Sequence, residues 1–100
     1  MSEAREPRLL PWVSPEGKTC FLLGDGKGFV SRMADRVEGI QLDMAEKLAV
    51  HADGMLGEAK LSERELRFLA GNLTRALRDV RRVAVSRGAR LDGVPGDGSG

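Results

Sequence analysis

The chain is poor in the residues on which many small-protein chemistries depend. Its 100 residues include one cysteine, one histidine, no tyrosine and four aromatic residues in all. One cysteine cannot form an internal disulfide, and a lone histidine does not supply the ligand cluster that a metal site needs. Few aromatics argue against an aromatic-rich β-sandwich. We therefore expect one small domain with no metal, no cofactor and no enzymatic activity.

Excess charge of one sign and long apolar runs are also missing. Sixteen Lys and Arg residues stand against 15 Asp and Glu residues, which leaves a formal net charge of +1. Indiscriminate binding to polyanions is therefore not expected. The apolar runs Phe21-Leu22-Leu23 and Phe68-Leu69-Ala70 are far too short for a membrane span or a signal-peptide core. We expect a cytoplasmic protein in which Cys20 is a small buried thiol.

Composition divides the chain into a flexible polar leader at residues 1–8, a single domain at residues 9–87 and a glycine-rich tail at residues 88–100. The tail has too few apolar groups to offset the entropy of ordering, so we predict that it is disordered. At the start of the domain, apolar segments at 9–13 and 19–23 flank Pro15 and Gly17, which favour a tight reversal. We predict a short β-hairpin there, with Pro11 on an edge strand.

Two long helices are predicted to follow the hairpin. The first begins near Ser31, a good N-cap, and runs to about residue 56. The second begins after Ser62, which forms a capping box with Glu65, and ends at Gly88. The short link between them predicts an antiparallel helical hairpin. The predicted fold class is mainly α (α+β), with an N-terminal β-hairpin before the two helices.

Each predicted helix carries one apolar stripe, because its apolar residues recur every three, four or seven positions. A ribbon and two helices make a thin core, so we expect this stripe to be a core or dimer face that closes a four-helix bundle. Leu42, Val50, Phe68, Val83 and Val85 lie off the stripes, as surface residues or as a second interface. The stripe residues are Met33, Val37, Ile40, Met44, Leu48, Leu66, Leu69, Leu73, Leu77 and Val80, with Met44, Leu48, Leu73 and Leu77 at the packed centre.

The loop before the first helix contains a candidate anion site formed by Gly26, Lys27, Gly28 and Ser31. Free N–H groups at a helix N-terminus attract anions. The loop lacks the spacer and the ending of a P-loop, and it lacks the oxygen ligands of a calcium loop. A plain glycine turn is the favoured interpretation, and a weak anion site is the alternative.

An arginine stripe is predicted along the second helix. Its members fall within about 80° of one another on the helix surface, with Gly71 on the same line. No helix-turn-helix spacing precedes the stripe, and no aromatic residue accompanies it except Phe68. Three interpretations stay open: a solvated face, a surface for an acidic protein partner, and a surface for nucleic-acid phosphates. The stripe consists of Arg64, Arg67, Arg75, Arg78 and Arg82.

Three segments carry a resemblance to a known group of proteins: Leu10-Pro11-Trp12, Pro15-Glu16-Gly17-Lys18-Thr19-Cys20-Phe21-Leu22 and Gly24-Asp25-Gly26-Lys27-Gly28-Phe29-Val30-Ser31-Arg32-Met33-Ala34-Asp35. In these segments the chain resembles small actinobacterial proteins with no assigned activity, over residues 9–87. The resemblance implies a small accessory or regulatory protein and no mechanism. We expect a homodimeric, non-enzymatic interaction protein with a protein partner. The alternative is a nucleic-acid-binding regulator that uses the arginine stripe.

Overall fold

The computed structural model describes residues 7–24 and 26–92. Two strands, β1 (Arg8–Val13) and β2 (Thr19–Leu22), precede two helices, α1 (Phe29–Leu56) and α2 (Glu63–Asp92). Glu38 near the start of α1 is bonded to Arg90 near the end of α2, so the two helices run antiparallel. The predicted mainly α (α+β) fold, a β-hairpin followed by a helical hairpin, is confirmed.

Five residues, 14–18, connect the two strands of the β-hairpin, and the first strand is irregular. The Gly17 N–H donates to the Ser14 carbonyl at 2.8 Å, and Gly17 has a φ of +84°, a backbone conformation that glycine adopts without strain. Strands β1 and β2 pair antiparallel, with Leu9 opposite Phe21 and a register shift between Leu9 and Val13. Pro11, which has no N–H for the ladder, lies within that shift. Its position agrees with the predicted edge strand.

Helix α1 begins two residues earlier than predicted. Its N-cap is Gly28, and no side chain caps its first turn. Glycine is a tolerated N-cap, so the helix does not need the Ser31 hydroxyl there. Ser31 is buried in the first turn instead, and its hydroxyl accepts a hydrogen bond from Arg8 Nη1 at 2.8 Å. The prediction that Ser31 is the N-cap was wrong, because its hydroxyl accepts a hydrogen bond from Arg8 of β1 and does not cap the helix.

Helix α2 begins as predicted and ends later. The Glu65 N–H donates to Ser62 Oγ at 3.0 Å, and the Ser62 N–H donates to Glu65 Oε1 at 2.8 Å, which confirms the capping box. Gly88 does not end the helix, which continues to Asp92. The predicted tail is therefore helical over residues 88–92, while residues 93–100 lie outside the described part of the chain. At the other end, Arg8 belongs to β1, and residues 1–6 of the predicted leader are outside the described part as well.

The interior is small and includes one residue that the helical pattern placed elsewhere. Val83 is 1% exposed, although it lies off the predicted stripe of α2. The β-hairpin packs on α2, where Ser86 Oγ donates to the Leu9 carbonyl at 2.8 Å, and this contact turns the Val83 side of the helix inward. Neither described helix is apolar enough over a sufficient length to span a membrane. The buried apolar residues are Leu10, Ala34, Ala52, Leu69 and Val83.

Candidate functional site

The predicted core or dimer face divides into an interior half and an uncovered half. Leu69 is buried, and the partly buried positions are Val37, Leu48, Leu73 and Val80. The other five residues are 42% to 70% exposed in the single chain: Met33, Ile40, Met44, Leu66 and Leu77. Within one chain, Met44 and Leu77 therefore do not lie at a packed centre.

The uncovered residues form a line on each helix. Met33, Ile40 and Met44 are spaced by seven and four residues, which places them on one side of α1. We call this set the α1 flank. Leu66, Leu77 and Leu91 are spaced by 11 and 14 residues and lie on one side of α2 in the same way. We call them the α2 flank. Each helix thus keeps an exposed apolar edge beside the face that packs inside the chain.

The arginine stripe is exposed along most of its length. Arg64, Arg67, Arg75 and Arg78 are exposed, whereas the side chain of Arg82 is only 19% exposed and pairs with Asp79 at 3.1 Å. Arg82 is therefore the member of the stripe least available to a ligand.

The exposed arginines differ in how their charges are matched. Arg67 Nε pairs with Glu63 Oε2 at 3.0 Å, and Arg75 is bonded to the neutral side chain of Asn72. Arg64 and Arg78 pair with no described residue. The positive charge of three of the four exposed arginines is therefore not neutralised by a carboxylate in the described structure.

A buried ionic cluster, which the sequence did not predict, joins β1, α1 and α2. At its centre, Glu38 is 0% exposed and each of its two carboxylate oxygens accepts two hydrogen bonds. Arg90 binds both oxygens, with Nη2 at 2.9 Å from Oε1 and Nη1 at 3.2 Å from Oε2. Arg87 Nε lies 3.1 Å from Oε1, and Arg8 Nη2 lies 3.2 Å from Oε2. We call this set the Glu38 cluster.

Three further side chains extend the Glu38 cluster. Arg8 Nη2 also binds Asp35 Oδ1 at 2.7 Å, and Arg90 Nη1 donates to Ser86 Oγ at 2.5 Å. Ser31 accepts from Arg8 through both its hydroxyl and its carbonyl. The cluster therefore fastens the first residue of β1 to the start of α1 and to the end of α2.

The charges around Glu38 determine its protonation. Burial alone raises the pKa of the Glu38 carboxyl, but hydrogen bonds from Arg90, Arg87 and Arg8 outweigh burial and hold the pKa below the ordinary value of 4.5. Glu38 is therefore ionised at neutral pH. Because both oxygens are occupied by guanidinium groups, this carboxylate is an internal anchor and is not placed to take a proton from a substrate.

Two polar groups of the candidate anion loop are already bonded within the chain. Gly26, Lys27 and Gly28 are exposed, but the Ser31 hydroxyl is bonded to Arg8. The Lys27 carbonyl accepts from Arg32 Nη1 at 2.8 Å. Gly26, Gly28 and Ser31 of this loop line an open depression of about 260 Å³ together with apolar side chains, among them Leu22, Leu23 and Phe29. These contacts favour a loop that connects β2 to α1.

Cys20 and His51 lie apart from any cluster of similar chemistry. Cys20 is half-buried, with its Sγ 3.8 Å from the Lys18 carbonyl, and His51 is exposed on α1. In the part of the chain that the structure describes, no group of three His, Cys, Asp or Glu side chains is arranged to hold a metal ion.

The geometry defines a helical-hairpin protein with an N-terminal β-ribbon, two exposed apolar flanks and an arginine stripe. No family model, no curated protein and no solved structure matches the chain. Its function must therefore be argued from these surfaces.

Proposed function

We propose that the chain is a small, non-enzymatic interaction protein of the cytoplasm that pairs with a second copy of itself. In this proposal the α1 and α2 flanks of two helical hairpins pack together into a four-helix bundle. The dimer then acts as an accessory or regulatory protein. The observation that carries the proposal is the exposure of the two apolar flanks.

Exposed side chains on these flanks favour burial against other apolar groups. Met44 is 62% exposed and Leu77 is 70% exposed, and covering such side chains contributes up to about 1.5–3 kcal/mol each. Scattered exposed apolar residues are common on soluble proteins, but residues in line with an interior stripe form a surface that a further helix can cover. This alignment supports a helical occupant.

A second copy fits the charges of the two helices. Glu38 pairs with Arg87 and Arg90 inside the chain. Without these three residues, helix α1 carries three basic and four acidic residues, whereas α2 carries six basic and four acidic residues. The two helices therefore carry net charges of opposite sign, which favours the pairing of two copies without using the arginine stripe as the contact surface. With a formal net charge of only +1, two copies also repel each other weakly.

Size-exclusion chromatography with light scattering tests the pairing on the full chain. We expect the mass of two chains at about 200 μM, with the fraction of dimer falling on dilution. Met44→Lys and Leu77→Lys each place a charge in the proposed interface and should give single chains.

Val50→Lys is the matched control, because Val50 is 64% exposed and lies about 100° around α1 from the centre of the flank. That variant should still pair. A single-chain mass for the unaltered protein at every concentration would refute the proposed dimer, and so would equal loss of pairing in all three variants.

A further inference from the structure

We propose that the arginine stripe binds single-stranded nucleic acid, with Phe68 as a stacking platform for a base. This surface differs from the α1 and α2 flanks, so the inference does not rest on the proposed dimer. The relevant residues are Arg64, Phe68, Arg75 and Arg78 on one side of α2.

An exposed aromatic ring lies among exposed cations on this face. Phe68 is 69% exposed and is placed one helical turn after Arg64 and two turns before Arg75. From Arg64 to Arg78 the helix rises about 21 Å. That distance is long enough to lie along several phosphates of a bound single strand.

The charges on this face are available to phosphate groups. Arg64 and Arg78 pair with no described residue, and the partner of Arg75 is the neutral Asn72. Three acidic residues of this region are bonded to neighbours: Glu63 pairs with Arg67, Asp79 pairs with Arg82, and Glu65 forms the capping box with Ser62. A nucleic-acid strand bound along the arginine stripe therefore contacts cations, and each of these neighbouring carboxylates already has a hydrogen-bond or ion-pair partner.

The exposed Phe68 ring favours a single strand over the other polyanions. An acidic protein surface satisfies the arginines but offers no partner that requires an aromatic ring. A duplex keeps the faces of its bases stacked inside, whereas a single strand presents them to aromatic side chains. Cationic side chains combined with an aromatic platform are the features that single-stranded nucleic-acid binders use.

Fluorescence anisotropy of labelled oligo-dT and oligo-rU, about 12 nucleotides long, tests the proposal with the full chain. If three to four arginines contact phosphates, the logarithm of the affinity should fall with the logarithm of salt concentration with a slope of about −2 to −3. Arg78→Glu should weaken binding at least tenfold and reduce that slope by about 0.7 or more.

Phe68→Ala separates stacking from charge. It should weaken binding roughly five- to a hundredfold while leaving the salt slope unchanged. Arg36→Glu is the matched control, because Arg36 is exposed on α1 away from the stripe and should bind as the unaltered chain does. Circular dichroism verifies that each variant folds, and Arg78→Gln replaces Arg78→Glu if the latter does not.

Several outcomes would overturn the proposal. They are no binding of either oligonucleotide at low salt, the same loss in Arg36→Glu as in Arg78→Glu, and binding that Phe68→Ala leaves intact. Equal or tighter binding of a duplex, or of a poly-glutamate peptide, would also overturn it and would assign the stripe to that class of partner.

Discussion

At the scale of single residues, Glu38 has the largest expected effect on stability. Its carboxylate is fully buried among three guanidinium groups. Glu38→Gln removes the negative charge and leaves these arginines uncompensated, so it should lower the free energy of unfolding by about 3–5 kcal/mol. Urea denaturation measures the change. Asp35→Asn is the control, because the Asp35 side chain is 64% exposed and its loss should cost at most about 1 kcal/mol.

The same carboxylate should make stability depend on acid pH. The pKa of Glu38 in the folded chain lies below the ordinary value of 4.5, so folding favours its ionised form. Its contribution is therefore fully present above that ordinary value and is lost as the pH falls through the lower pKa of the folded state. Urea midpoints measured from about pH 7 to pH 3 should drop most steeply at the acid end. Glu38→Gln should flatten this decline, and an unaltered profile in that variant would contradict the assignment.

The Glu38 cluster was not predictable from local sequence, for a physical reason. Its arginines lie 30, 49 and 52 residues from Glu38 along the chain. Taken singly, Glu38 and Arg87 have the character of solvated helix residues, and Arg90 falls in the tail that was predicted to be disordered. Tertiary packing alone brings them together. The local signal consists of Ser31 and Glu38 on one side of α1, together with the small residue Ala34, a pattern typical of a polar but close-packed face.

At the scale of elements, local patterns predicted both helices and the start of α2, whereas the rules applied at Ser31 and Gly88 placed two helix ends incorrectly. Apolar periodicity predicted both helices, and Ser62 with Glu65 predicted the start of α2. At Ser31 and Gly88, contacts from other elements overrode the local rules. The Ser31 hydroxyl accepts a hydrogen bond from Arg8. The helical residues after Gly88 place Arg90 within hydrogen-bond distance of Glu38.

Gly88 therefore provides a test of where α2 ends. Its φ is not positive, and a Cβ built on it meets nothing within 4 Å. Gly88→Ala should stabilise the chain by about 0.5–1 kcal/mol in urea denaturation, because alanine loses less backbone entropy in a helix. Gly17→Ala should have the opposite sign, since Gly17 has a φ of +84° and a side chain there costs about 1–2 kcal/mol. If Gly88→Ala destabilises the chain instead, the result favours a helix that ends at Gly88, as the sequence predicted, over one that continues to Asp92.

At the scale of the whole molecule, a single chain is less compact than is usual for a domain of 100 residues. Its Cα radius of gyration is 17.6 Å, whereas a compact domain of this length has a value of about 13 Å. The interior is thin because the hairpin covers one side of α2 while the two apolar flanks stay exposed. A monomer with this geometry buries little apolar surface, and the proposed dimer would add to its core.

Leu77 distinguishes a stable monomer from a dimer by the cost of its truncation. In a monomer, Leu77→Ala shortens a side chain that is 70% exposed and should cost less than about 1 kcal/mol. In the proposed bundle the same side chain is buried, and the change should cost about 2–5 kcal/mol. Urea denaturation at about 5 and 200 μM chain adds a second measure, because this increase in concentration stabilises a dimer by about 2 kcal/mol and leaves a monomer unchanged.

Val50→Ala, at an exposed position away from the flank, should have a small effect at both concentrations. If Leu77→Ala behaves like Val50→Ala and the midpoints do not move with concentration, the α2 flank is solvent-exposed surface and the four-helix bundle does not form.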